Sequence, residues 1–205
     1  MRQRAPVRVG VAGWDYPDWK GVLYPTPRPR GFDPVRYLAS YIDLIEINST
    51  FYRPPTEAVA ERWAERVARL DRRFTYERDS VWTKKSLRAS ARSTAHAGYV
   101  RVHGRNYMDW FRKDAGRDAR YDYLYSAQEP EPWVERTEAI ARDGTTENVD
   151  VVFNNHYKAQ AVVNAVQFKA LLHDEPATVP PLLYESYPDE LALHAYPQDP
   201  VIQAA

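Results

Sequence analysis

The sequence predicts an α/β fold built on a parallel sheet. Short β-branched runs alternate with helix-like segments at both the beginning and the end of the chain, which is the pattern of βαβ units. Three strand-like runs end in dense polar clusters. Residues 42–48 run into Asn48-Ser49-Thr50-Phe51-Tyr52-Arg53, 99–102 into His103-Gly104-Arg105-Asn106, and 149–153 into Asn154-Asn155-His156. Polar side chains just past the C-terminal ends of buried parallel strands are how α/β enzymes build sites. With 205 residues, 44% hydrophobic and 13% aromatic, the chain is long enough for one core and one domain.

The elements follow in order. Val7–Ala12 is a β-branched run that stops at Gly13, so it reads as the first strand. Residues 14–31, rich in proline and aromatics, read as a loop. Asp33-Pro34 is a helix start, an N-cap acid with proline at the first position, and the helix is expected to run to about residue 41. The second strand is expected over 41–47. Pro54-Pro55-Thr56 is a second start signal, with Val59, Trp63 and Val67 on one helical face, giving a helix over 56–70. A third strand begins at 74–76 and is cut short by Glu77-Arg78-Asp79. Beyond a segment without clear period come a strand at 99–102, an aromatic and charged loop at 105–130, a helix at 132–141 and a strand at 149–153. A long helix follows at 159–172, with Val162, Val166 and Ala170 on one stripe. The proline-rich segment from His173 is expected to wrap the surface, ending in a tail at 191–205.

Composition excludes several classes. There is no cysteine, so disulfides, thiolate metal sites and cysteine nucleophiles are ruled out. Lys plus Arg and Asp plus Glu are both 28, and a net charge of zero disfavours a general nucleic-acid binder. The best basic patch is Lys84, Lys85, Arg88 and Arg92, which also reads as a solvated loop. No segment approaches the roughly 20 apolar residues of a membrane span, and no signal-peptide pattern opens the chain. A cytoplasmic protein is the default expectation.

The candidate chemistry lies at the strand ends. Glu46 would be costly to bury unless paired or hydrogen-bonded. It reads as a general acid/base or ligand-hydroxyl acceptor, or as half of a structural ion pair with an arginine such as Arg101. His103 is an acid/base candidate, Gly104 permits close backbone approach, and Arg105 offers a planar fork suited to phosphate or carboxylate. Asn48, Asn106, Asn154, Asn155 and His156 can hydrogen-bond a ligand or hold turns. Trp14 is the best stacking candidate among the loop aromatics. A metal site through His103, His156 and Glu46 is conceivable, but no pair of histidines has close ligand spacing, so none is assigned; no cofactor motif of the G-x-G-x-x-G or Walker type is present.

Four ordered strings together resemble one family. They are Gly13-Trp14-x-Tyr16-x-x-Trp19-x-Gly21-x-x-Tyr24-Pro25; Glu46-Ile47-Asn48-Ser49-Thr50-Phe51-Tyr52-Arg53; Tyr99-Val100-Arg101-Val102-His103-Gly104-Arg105-Asn106; and Phe153-Asn154-Asn155-His156, with Ala161 and Asn164 behind. The chain is similar to domain-of-unknown-function family 72, the YecE-like proteins. The resemblance implies a TIM-barrel-like (β/α) fold and no settled activity. It implies that Val7–Ala12 is strand one, 41–47 strand two, 99–102 strand seven and 149–153 strand eight. Strands one and eight then lie side by side, and the polar clusters share one mouth. Arg105 and Asn106 fall where such barrels often hold a phosphate.

The spacing departs from that pattern. A complete barrel takes about 250 residues, roughly 30 per strand–helix unit, so strand two to strand seven would need about 150. From Asn48 to His103 is only 55 positions. The expectation is therefore an incomplete barrel lacking strands four to six, a single domain over 1–190 with an internal deletion near 77–80. The family's central lysine, Gln-Leu-Pro-like and Glu-Phe-Arg-like strings have no counterpart here. An open sheet edge could be covered by a second copy of the chain.

The expected function is a polar pocket at the strand ends that hydrolyses or isomerises a phosphate- or sugar-containing ligand. The alternatives are a non-catalytic binding module for nucleic acid or protein, and an inactive shortened paralogue.

Overall fold

The computed structural model describes residues 4–47, 58–59, 62, 96–110, 112, 114, 116 and 118–200. Asn48, the strand at 74–76, the junction near 77–80 and the basic stretch 84–92 lie outside these residues. So does the helix at 56–70, except for Ala58, Val59 and Arg62, which are helical.

Among the described residues, four parallel strands form the main sheet in the order β2-β1-β4-β3. They are β1 (Val7–Ala12), β2 (Leu44–Glu46), β3 (Ala97–Val102) and β4 (Asn148–Phe153). The first and last strands thus lie side by side, as the resemblance implies, with Val7 opposite Val149 and Val11 opposite Phe153. β2 is shorter than expected because a side chain takes over its start. Asp43 accepts the Val9 N–H through its carboxylate at 3.1 Å, while its own N–H donates to Val9 O.

Period-two alternation sorts the strand residues onto two faces. Val9, Val11, Ile45, Val100, Val102, Val149, Val151 and Phe153 belong to the main core. Among the described residues, helices supply much of its other side. Helix α1 (Pro34–Leu38) is capped by Asp33, whose carboxylate accepts from Val35 N and Arg36 N, and it stops one turn earlier than expected. After the short α2 (Tyr107–Trp110) comes α3 (Glu131–Arg142), then α4 (Gln160–His173). The opposite sheet face carries Gly10, Ala12, Leu44, Glu46, Tyr99, Arg101, Asp150 and Val152, of which only Ala12, Leu44, Val152 and Tyr99 form an apolar cluster.

The segment after His173 corrects the expectation of a surface wrap. β5 (Ala177–Val179) and β6 (Ala195–Pro197) pair in parallel, with α5 (Pro181–Ser186) and α6 (Pro188–Leu191) between them. Val179, Leu183 and Leu191 are fully buried. They cover the outer side of α4, which explains why that helix is apolar nearly all round rather than along one stripe. The tie is also polar: Gln167 donates to Glu190 O, and Tyr41 Oη donates to Gln198 O.

Candidate functional site

The C-terminal ends of the four parallel strands lie at one end of the sheet, and most of the expected site residues follow directly on them. β1 ends at Gly13, whose φ of +76° suits glycine. A Cβ there would run into the Tyr16 hydroxyl, which folds back to donate to Ala12 O. Gly13 N–H donates to Glu46 O and holds the ends of β1 and β2 together.

Glu46 closes β2 and is 3% exposed. Its partner is Arg101, which donates from Nε to Oε2 at 3.0 Å. The ion pair offered by the sequence as the structural alternative is therefore present. Burial nevertheless outweighs pairing, and the Glu46 carboxyl sits above its ordinary pKa despite the Arg101 charge and hydrogen bond. Tyr99 lies close enough to act on that charge, and burial likewise raises its hydroxyl. Its oxygen makes no geometrically complete hydrogen bond among the described residues.

His103 follows β3. Its Nε2 is 3.1 Å from Arg101 Nη1 and its Nδ1 is 3.0 Å from the Asn154 amide. Burial, then the Arg101 charge, lowers its pKa to about 3, so the ring is neutral at ordinary pH. Gly104, at φ +93°, brings the backbone against Tyr123 and Asn155 and donates its N–H to Tyr125 Oη at 2.8 Å.

Arg105 is already engaged. It donates to Glu129 Oε1 at 2.8 Å and lies over the Tyr125 ring. Burial works against the Glu129 charge, but Ser126, Tyr123 and Arg105 together hold its carboxyl below the usual range. Asn106 donates to Asp109 Oδ2, Ala119 O and Asp122 O, so its amide nitrogen organises the loop after β3.

The residues after β4 are buried. Asn155 donates to Tyr123 O and to Asn164 Oδ1 at 2.8 Å each. Asn164 also accepts from Tyr125 N and donates to Tyr125 O and Gln167 Oε1. The pair fixes the 123–125 segment onto α4. The His156 ring stacks on Tyr16 at 4.1 Å and 5° and packs against Tyr121, while its carbonyl accepts from Trp19 Nε1. Trp14 is partly buried against the core, and its carbonyl accepts from Tyr24 Oη.

The structure thus links Glu46 to His103 through Arg101, and His103 to Asn154. Trp14, Arg105, Asn106, Asn155 and His156 instead make the loop-holding contacts given above. Asn48 lies outside the described residues. Sequence reading passed over Arg101 as a site residue, although its position between Val100 and Val102 already placed it on the face opposite the core. It also passed over Glu129, for which no local sequence signal exists. Among the described residues, no group of three or more metal-ligating side chains comes together. No helix among them is long and apolar enough to cross a membrane.

The sequence pattern of the family described as "Protein of unknown function DUF72" matches residues 8–77 and 71–189. The UPF0759 protein YunF of Bacillus subtilis (strain 168) is 35% identical over 85 residues. That match covers 40% of this chain and 29% of YunF, so it spans less than a third of the relative's length. The crystal structure of a DUF72 family protein from Thermotoga maritima MSB8 superposes with a TM-score of 0.55 at 20% identity. It covers 82% of this chain and 99% of that one, and shows a shared fold.

Proposed function

We propose, on the premise that this chain belongs to the DUF72 family of unknown function and shares its TIM-barrel-like α/β fold, that the strand-end mouth binds a polar small molecule. The ligand is a phosphate- or sugar-containing compound, and the chemistry is its hydrolysis or isomerisation in the cytoplasm. Glu46 and His103 are the acid/base pair. Arg105 and Asn106 take the anion, and Trp14, Asn48, Asn154, Asn155 and His156 orient the rest.

One observation carries this reading. A buried carboxyl with a raised pKa, a guanidinium and a neutral imidazole form one connected chain at the C-terminal ends of parallel strands. Perturbed titratable groups clustered at that end of an α/β sheet are the usual mark of a site. The apolar alternative, a filled barrel centre of branched side chains, is not what Glu46, Arg101 and His103 provide. In this reading Arg105 must leave Glu129 to reach an anion, an exchange of one carboxylate for another oxyanion.

A second reading rests on the engaged state of Arg105, Asn106 and Asn155. If those contacts are their whole role, the chain is a non-catalytic module or an inactive shortened paralogue. The missing central block and a second copy of the chain covering the sheet edge remain part of the proposal.

The test is a screen of sugar phosphates and phosphate monoesters by ligand-observed NMR, repeated on Arg105→Ala and Glu46→Gln. The expected result is a hit whose binding is lost in Arg105→Ala, and which Glu46→Gln binds without turning over. A hit that binds Arg105→Ala as tightly as the parent overturns the site assignment.

A further inference from the structure

We infer that Arg101 is the positioning residue of the mouth: it holds His103 as a neutral imidazole protonated on Nδ1 and ties that ring to Glu46 across the sheet. The inference rests on the reading of the mouth as an acid/base site, but its geometry stands without a ligand.

A guanidinium only donates, so the ring nitrogen facing it must accept. That nitrogen is Nε2, 3.1 Å from Arg101 Nη1. A neutral imidazole has one acceptor nitrogen, and the proton therefore sits on Nδ1. Nδ1–H in turn needs an acceptor, and its neighbour at 3.0 Å is the Asn154 side-chain amide. The amide satisfies it with its oxygen turned toward the ring. In the opposite orientation the amide NH2 would face Nδ1–H, donor to donor. One assignment of proton and amide thus resolves both contacts.

The charges around the ring agree. Arg101 on β3 is the cation beside it, Glu46 on β2 lies on the far side of that cation, Tyr99 on β3 is uncharged, and Asn154 after β4 carries no charge. A protonated His103 would aim an N–H at a guanidinium N–H. The Arg101 side chain is only 10% exposed, so solvent relieves little of that repulsion.

This sets how the mouth can work. The Nε2 lone pair is occupied while Arg101 stays in place, and it becomes a base only when the guanidinium moves off it. Glu46, on the other side of the same guanidinium, is freed by the same movement. Arg101 therefore couples the two acid/base candidates, which lie at the ends of the two outermost of the four described strands.

Nitrogen-15 NMR of the histidine ring tests this on the full chain without any ligand. The expected spectrum shows His103 with Nδ1 protonated and Nε2 bare, unchanged between about pH 5 and 8, where an ordinary histidine titrates. In Arg101→Met the His103 titration should move up by at least about one pH unit as the cation is lost. In Arg101→Lys the charge stays, so the low titration should persist. Nε2–H in the parent, or an unmoved titration in Arg101→Met, overturns the inference. Should Arg101→Met fail to fold, Asn154→Ala decides: Arg101 alone must still keep Nε2 bare, and an Nε2–H spectrum overturns the inference. Failure of the ligand screen with this spectrum intact would sink the functional reading alone.

Discussion

Arg101 on β3 reaches Glu46 on β2 at 3.0 Å although β4 and β1 lie between those strands. In a flat sheet three strand spacings of about 4.8 Å would put the two backbones roughly 14 Å apart. The sheet is therefore curled toward this face, as a barrel wall is, and small residues permit it. Gly10 sits at the inside of the bend, where any Cβ would strike the Leu44 carbonyl. The pair closes the inner face from edge to edge.

Removing one half of that pair should be far worse than removing both. Arg101→Met or Glu46→Leu alone leaves a buried charge and should cost about 3–5 kcal/mol. The double variant, apolar on both sides, should recover most of it. Urea unfolding of the four proteins checks this, and a double variant as unstable as the sum of the singles would show that the pair is not coupled.

Acid should unfold the protein earlier than its carboxylates alone would dictate. The His103 pKa in the folded chain is lowered to about 3, below the ordinary value near 6.5 of the unfolded chain. The unfolded state then binds the extra proton, so stability falls as pH drops from about 6.5 toward 3. Asn at position 103 should flatten that slope. Midpoints of urea unfolding at a series of pH values measure it, and equal slopes in parent and His103→Asn would contradict the folded-state pKa.

Asn164 should prove a large stability determinant although it carries no proposed chemistry. It makes four hydrogen bonds, to Tyr125 N and O, Asn155 and Gln167, and has no exposure. Truncation to alanine strands several buried groups, each costing roughly 1–3 kcal/mol. The expected loss is about 3 kcal/mol or more by thermal or urea unfolding, with loosening of the 123–125 segment in hydrogen exchange.

Gly13→Ala should be costly for two reasons. Its backbone lies at φ +76°, where a side chain is strained by about 1–3 kcal/mol, and the new methyl meets the Tyr16 hydroxyl. Tyr16 would be pushed from Ala12 O and from the face of His156, so the near-ultraviolet circular dichroism should change along with stability. An unchanged aromatic spectrum would argue that Tyr16 is not held by this contact.

Arg105→Ala should change stability little. The Arg105–Glu129 pair is partly exposed, and such pairs contribute roughly 0–1 kcal/mol. A loss well above that by unfolding would make Arg105 a structural residue rather than one available to an anion.

Much of the architecture was legible locally. Asp33-Pro34 marked the start of α1 because a carboxylate and a proline satisfy a helix N-terminus without help from elsewhere. The valine runs at Val7–Ala12 and Asn148–Phe153 marked strands, because the β-branched pattern is itself the signal. The segment after His173 misled, because its prolines suggest surface while Leu183 and Leu191 reveal their burial only against α4.

The sequence by itself determined which residues could carry chemistry and at which strand ends they would stand. Strand, turn and cap propensities act over a few residues, so Glu46, His103 and Asn154 could be placed at one end of the sheet from their neighbours alone. Only the tertiary structure decided what those groups are. The curl of the sheet makes Arg101 the common partner of Glu46 and His103, burial raises one pKa and lowers the other, and Glu129 arrives from a distant loop to hold Arg105. Charge state and pairing depend on distances across the sheet and on exclusion of water, and neither is written in any one stretch of chain.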